Sequence, residues 1–170
     1  PDMPRSYVST GPSLLRARRV DFDAVRQFRD RAAALATMGH EITKIELIII
    51  GGTWSYHPHD YQKEFMTCLY YAANTFNEKS ALTREILSLE EEIKINETAA
   101  SRIIGITIEN RPDHITVTEL ARLRSYGVTR VQLGVQHLND KILDYINRKC
   151  PTVKTYNAFK LLKENGFKVD

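Results

Sequence analysis

Cysteine is scarce in this sequence: Cys68 and Cys150 are the only two in 170 residues. Two isolated cysteines build no disulfide framework, and they supply neither a structural zinc site nor a four-cysteine cluster. Long apolar runs are also missing. None approaches the roughly 20 residues of a membrane-spanning helix, and no signal-peptide pattern is present. The setting expected from these absences is reducing and cytoplasmic, away from a membrane. Charge of one sign is lacking as well. Lys and Arg number 24 and Asp and Glu 21, and the formal charge of +3 is too mild to imply nucleic acid by itself. Glycine and proline are sparse, at 8 and 6 residues, so the composition is that of an ordinary globular chain and not of a fibre. No repeat of fixed period and no low-complexity segment occurs.

What is there is organised around Lys44-Ile-Glu-Leu-Ile-Ile-Ile-Gly51-Gly52-Thr53. The branched, apolar run suits a strand covered on both faces. Gly51 and Gly52 remove side chains where the strand stops, so a ligand or another backbone can approach; a tight turn without a ligand is the alternative. Residues 1–20 are expected to form an irregular basic arm. Pro1, Pro4, Gly11 and Pro12 break regular patterns there, and Arg5, Arg16, Arg18 and Arg19 stand against a single acid, Asp2. Such an arm is either a solvated loop or a phosphate-contacting segment.

From residue 21 to 170 helical and extended patterns alternate. A helix is expected after Asp21, which would cap it, with Phe22, Val25, Phe28, Ala32 and Leu35 at helical spacing and Gly39 as its stop. His57 and His59 form a loop pair without a third metal ligand. Helices are expected over Asp60–Phe76 and Leu82–Thr98, the latter with Glu90, Glu91 and Glu92 as its wet face. A second strand spans Arg102–Glu109 and a third Thr129–Gln136. Helices follow over Thr116–Tyr126, from Asn139 or Asp140 to Asn147, and from Thr152 to Gly166, before a fourth strand at Phe167–Asp170. Strands separated by helices require a parallel sheet, either open and doubly wound or a barrel.

Strand faces favour the barrel. Gly105, Thr107 and Glu109 oppose Ile104, Ile106 and Ile108, and Arg130, Gln132, Gly134 and Gln136 oppose Val131, Leu133 and Val135. A sheet covered by helices on both faces would not tolerate that polarity, whereas a wet lumen would. The polarity grows toward the carboxyl ends of the strands, where barrels bind ligands. A satisfied internal polar network is the other reading.

These strand ends also carry a resemblance. Pro4-Arg-Ser-Tyr-Val-Ser-Thr, Glu46-Leu-Ile-Ile-Ile-Gly-Gly-Thr53, Gly105-Ile-Thr-Ile-Glu-Asn-Arg-Pro-Asp113, Leu133-Gly-Val-Gln136, Asn147-Arg148 and Gly166-Phe-Lys-Val169 resemble the catalytic third subunit of Elongator. Gly-Gly-Thr and Gly-Val-Gln are weak matches alone; the Gly105–Asp113 string is strong. The resemblance implies a radical S-adenosylmethionine (SAM) domain: an α/β fold that is a partial (β/α)6 TIM-like barrel of parallel strands, incomplete at both ends, with residues 21–170 as its central part. The implied activity is carboxymethyl-type modification of the wobble uridine of tRNA at C5, with SAM, a 4Fe-4S cluster and acetyl-CoA. The partners it implies are tRNA and, in a eukaryote, the other Elongator subunits; otherwise the enzyme would act alone or as a homodimer.

By the same resemblance, Gly51 and Gly52 match the loop that meets the cofactor's amino-acid end, with Thr53 beside it. Glu109 matches an acid that accepts bonds from the ribose hydroxyls or the amino group, Gln136 a polar cofactor contact, and Arg148 a contact to the cofactor carboxylate. Asp170 would line the same lumen, and Arg16, Arg18 and Arg19 would contact the tRNA backbone. No catalytic residue is assigned. The cluster's cysteines are expected upstream of Pro1, and an acetyltransferase-like domain is expected beyond the chain, so these 170 residues alone are expected to be inactive. The sequence departs from the family at Asn110, where threonine is usual, at His137, where serine is usual, and at Lys149-Cys150, where Gly-His is usual. Two alternatives are a cluster-less, non-catalytic module that binds SAM or tRNA, and another radical enzyme of the anaerobic porphyrinogen oxidase type.

Overall fold

The computed structural model describes residues 11–77 and 84–170. Four strands lie in one sheet in the order β1-β2-β3-β4: β1 (Lys44–Ile49), β2 (Arg102–Asn110), β3 (Arg130–Leu133) and β4 (Lys168–Val169). β2–β3 and β3–β4 pair in parallel, and helices fill the crossovers, as the alternating pattern requires. The contacts divide the chain into two compact units, residues 1–47 with 57–105 and residues 48–56 with 106–170.

In the first unit, α1 spans Pro12–Arg19. The expected irregularity of residues 1–20 is therefore corrected over this stretch; residues 1–10, with Arg5, lie outside the described residues. Pro12 occupies the first turn, where its missing N–H is no loss, so the residue read as a breaker starts a helix. α2 covers Ala24–Thr37 and is capped by Asp23, whose carboxylate accepts the Arg26 amide at 2.9 Å. Asp21 is not the cap. Asp21 and Phe22 take left-handed backbone (φ 51° and 61°), and this turn leaves Phe22 exposed.

α3 (His59–Asn74) packs against α2 and against α4 (Leu89–Asn96), with Met66 and Ala72 fully buried. The expected helix from Leu82 starts instead at Leu89. Leu82 is outside the described residues, and the reason for the late start is a capping box: Ser88 accepts the Glu91 amide at 3.3 Å, and the Glu91 carboxylate accepts the Ser88 amide at 3.0 Å. Glu92, expected on a wet face, is 0% exposed. Its carboxylate takes Arg84 through two bonds of 2.8 and 3.0 Å, the Asn74 amide group at 2.8 Å and the Leu87 N–H at 3.1 Å. Burial pushes this carboxyl up, but the bonds from Arg84, Asn74 and Leu87 outweigh it and hold the pKa below the usual carboxylate value.

β1 overturns the expectation of a strand covered on both faces. It stands at one end of the sheet order, its residues alternate between exposed and half-buried, and Ile48 is 58% exposed. The fully buried positions lie in the carboxyl half of β2 and in β3, where Ile106, Ile108 and Val131 are 0% exposed.

In the second unit, α5 (Val117–Ser125), α6 (Asp140–Tyr145) and α7 (Thr152–Glu164) accompany the carboxyl half of β2, β3 and β4. Thr116 caps α5 and Asn139 caps α6 through side-chain oxygens. Asp140 receives the Thr152 amide at 2.7 Å, which ties the start of α7 to the start of α6. The parallel register sets Glu109 opposite Gln132 and Ile108 opposite Val131, so over Thr107–Asn110 and Arg130–Leu133 the faces inferred from alternation are those of the folded sheet.

Candidate functional site

The carboxyl ends of β2 and β3 and the loop after β1 belong to the same unit. β1 ends at Ile49, and the chain turns through Gly51 and Gly52 into a short 3-10 turn at Trp54–Tyr56. Gly52 has φ 100°, a backbone that side chains resist, and a Cβ added at Gly51 or Gly52 would meet nothing within 4 Å. The glycines therefore serve backbone conformation and leave open space beside the loop. The Gly52 N–H donates to the Glu109 carboxylate at 3.4 Å, across 57 positions of sequence. Thr53 is buried, and its carbonyl accepts the Tyr56 amide at 3.1 Å, which closes the 3-10 turn.

β3 ends at Leu133, earlier than expected, so Gly134 and Gln136 do not continue its alternation. The Gly134 N–H bonds the Asn110 carbonyl at 2.9 Å, and the chain then makes tight turns in which Val135 N–H reaches Leu133 O at 2.8 Å and His137 N–H reaches Val135 O at 2.9 Å. Gln136 is exposed on left-handed backbone, φ 69°. The Arg148 guanidinium donates to the Gly134 carbonyl, and a Cβ on Gly134 would lie 3.3 Å from that guanidinium. Gly134 is thus the residue that lets Arg148 approach. Arg148 Nε is buried without a hydrogen-bond partner among the described residues, and burial, followed by the nearby Arg111 charge, lowers the guanidinium pKa. A cation with an unused buried N–H suits a carboxylate.

Arg111 grips Asp113 through bonds of 2.9 and 2.7 Å and donates to the Arg148 carbonyl at 3.2 Å. Cys150 is buried beside this pair, and burial first, then the Asp113 charge, pushes its thiol up. His137 accepts the Asn139 amide on Nδ1 at 3.0 Å. Asp170 receives Arg130 at 3.1 Å and follows Val169, which pairs with Val131; alternation thereby puts it on the face of Gln132 and Glu109. Arg16, Arg18 and Arg19 are exposed in the last turn of α1, where cations also complement the helix dipole.

Sequence reasoning missed a buried relay beside the site. Glu119, 5% exposed, accepts from Ser55 and from Arg122, and Ser55 accepts from Asn110 at 2.5 Å. Thr116-x-x-Glu119 was a visible capping signal, but nothing in the sequence linked Glu119 to Ser55, 64 positions away. Among the described residues no group of three or more His, Cys, Asp or Glu is placed to hold a metal ion.

A model of the Radical SAM superfamily matches residues 16–170. The chain is 40% identical over 169 residues to a tRNA uridine(34) acetyltransferase of Methanocaldococcus infernus, covering 99% of this chain and 30% of that protein. It is 34% identical to Elongator complex protein 3 of Schizosaccharomyces pombe, covering 97% of this chain and 29% of that one. A solved structure of the archaeal Methanocaldococcus infernus Elp3 with an N-terminal deletion superposes with a TM-score of 0.81 at 39% identity, over 94% of this chain and 35% of that chain. The chain therefore spans about a third of the length of these relatives.

Proposed function

The chain belongs to the Radical SAM superfamily, and from that premise we propose that it is the SAM-seating part of an enzyme that modifies the wobble uridine of tRNA at C5. The observation that carries the cofactor reading is the Gly52–Glu109 contact in the same unit as Arg148, whose Nε–H is buried and unused. The tRNA reading is supported by relatives named for uridine(34) acetylation that match nearly the whole chain.

When bound, SAM and a 4Fe-4S cluster supply radical chemistry, and acetyl-CoA supplies the acetyl-derived group. The chain's own residues bind and orient. Arg148 offers its fork to the cofactor carboxylate, Glu109 accepts from the amino group or the ribose hydroxyls, and the Gly51-Gly52-Thr53 loop presents backbone to the amino-acid end. Gln136 adds an exposed amide from its turn, and Asp170, held by Arg130, sets the charge of the same strand face. Arg16, Arg18 and Arg19 contact tRNA phosphates. The working partners are tRNA and, in a eukaryote, the other Elongator subunits; elsewhere the enzyme acts alone or as a homodimer, in the cytoplasm.

Glu109→Gln tests the cofactor reading. Calorimetry with SAM on the protein as expressed from its gene should show about tenfold weaker binding, the loss of one hydrogen bond to a charged group, with an unchanged melting temperature. Equal affinity would overturn the assignment. A cluster-less SAM- or tRNA-binding module is the second reading, favoured by Lys149-Cys150 in place of Gly-His; iron in the anaerobically purified protein would exclude it.

A further inference from the structure

We propose that Glu119 is a positioning residue for the Gly51-Gly52-Thr53 loop, acting through Ser55. The consequence for SAM rests on the cofactor reading above; the positioning itself rests on geometry alone.

The Gly52–Glu109 contact is 3.4 Å long, at the weak end of hydrogen bonding, so it does not by itself fix the loop. The stronger tether lies three residues further on. Ser55 Oγ donates to Glu119 Oε1 and accepts from Asn110 Nδ2 at 2.5 Å. A carboxylate can only accept and an amide N–H only donate, so the serine hydroxyl has a single orientation. Asn110 is equally committed. Its side-chain oxygen accepts the Arg111 amide at 3.1 Å, and its carbonyl accepts the Gly134 amide at 2.9 Å.

Glu119 is in turn fixed at the start of α5. Its amide donates to Thr116 at 3.1 Å, and its Oε2 accepts from Arg122 one turn along. The relay therefore joins the loop after β1, the end of β2, the first turn of α5 and the turn after β3. A buried carboxylate serving helix stability alone would need only Arg122 and the helix terminus. Its second oxygen is spent on the loop instead. Breaking the Ser55 link frees the 3-10 turn, and Gly52, three residues away, follows. Asn110 is the donor that reaches Ser55.

Three variants test this in the protein as expressed from its gene: Ser55→Ala, Ser55→Thr and Glu119→Gln. The readouts are residue-resolved amide exchange at Gly52, with Val131 as the control, and SAM affinity by calorimetry. Ser55→Ala and Glu119→Gln should speed exchange at Gly52 about tenfold, the scale of one charged hydrogen bond, and weaken SAM by a similar factor. Val131 should not change, and Ser55→Thr, which keeps the hydroxyl, should stay near wild type. Unchanged Gly52 exchange in Ser55→Ala, or a rise shared equally by Val131, would overturn the proposal. If wild type binds no SAM, the cofactor reading fails and Gly52 exchange alone decides the positioning. If Glu119→Gln does not fold, Ser55→Ala decides it.

Discussion

Arg111 holds Arg148 by its backbone: an Nη2–H of Arg111 donates to the Arg148 carbonyl at 3.2 Å while the same guanidinium grips Asp113. One side chain at the end of β2 thereby ties down the turn that presents the second arginine. Lysine cannot supply this planar fork. Arg111→Lys is expected to weaken SAM binding several-fold, with little change in melting temperature because both partners of the pair keep partial access to water. Isothermal titration and thermal melts together check it.

Gly134 is a close-approach glycine. A methyl there would stand 3.3 Å from Arg148 Nη2, 3.5 Å from Gln136 Nε2 and 3.7 Å from the Asn110 carbonyl. Gly134→Ala should displace the Arg148 guanidinium by a few tenths of an ångström and reduce SAM affinity, while the fold persists. Wild-type affinity in the alanine variant would show that Arg148 has room the structure does not give it.

Lys149 sits at φ 52°, in the left-handed region that favours glycine. Left-handed backbone costs a non-glycine residue about 1–2 kcal/mol, partly offset by the greater unfolded-state freedom of glycine. Lys149→Gly is therefore expected to stabilise the protein by about 0.5–1 kcal/mol. A denaturant midpoint that moves down would contradict it. Asn147, at φ 55°, is a residue that tolerates this conformation, and no gain is expected there.

Glu92 is a buried carboxylate with a depressed pKa, so its contribution to stability follows a definite sign. The folded pKa lies below the unfolded one, which is the ordinary glutamate value of 4.5. The stabilisation is present above that unfolded value and is lost as pH falls through the folded value. Wild type should lose stability below about pH 4, and Glu92→Gln should show a shallower acid limb. At neutral pH the glutamine variant should be less stable by about 3 kcal/mol, the low end for breaking a buried pair, because Arg84 keeps its charge. Urea titrations at pH 7 and pH 3.5 read both effects.

The sequence by itself determined the order of the strands and of the helices from α2 onward, the helix stops at Gly39 and Gly166, and the split of β2 into a Thr107–Glu109 face and an Ile106–Ile108 face. These are local properties: side-chain alternation and left-handed glycines act within a few residues. The Gly51-Gly52 loop and the Gly105–Asp113 string were legible for the same reason. Tertiary structure alone decided that β1 stands at the end of the sheet order, because hydrophobicity records an aptitude for burial and not which neighbour arrives. It decided that Glu92 is interior and Glu90 and Glu91 are not, because three consecutive acids differ only in which one Arg84 and Asn74 reach. And it decided that Ser55, Asn110 and Glu119 form one relay, since partners 55 and 64 positions apart meet only once the chain has folded.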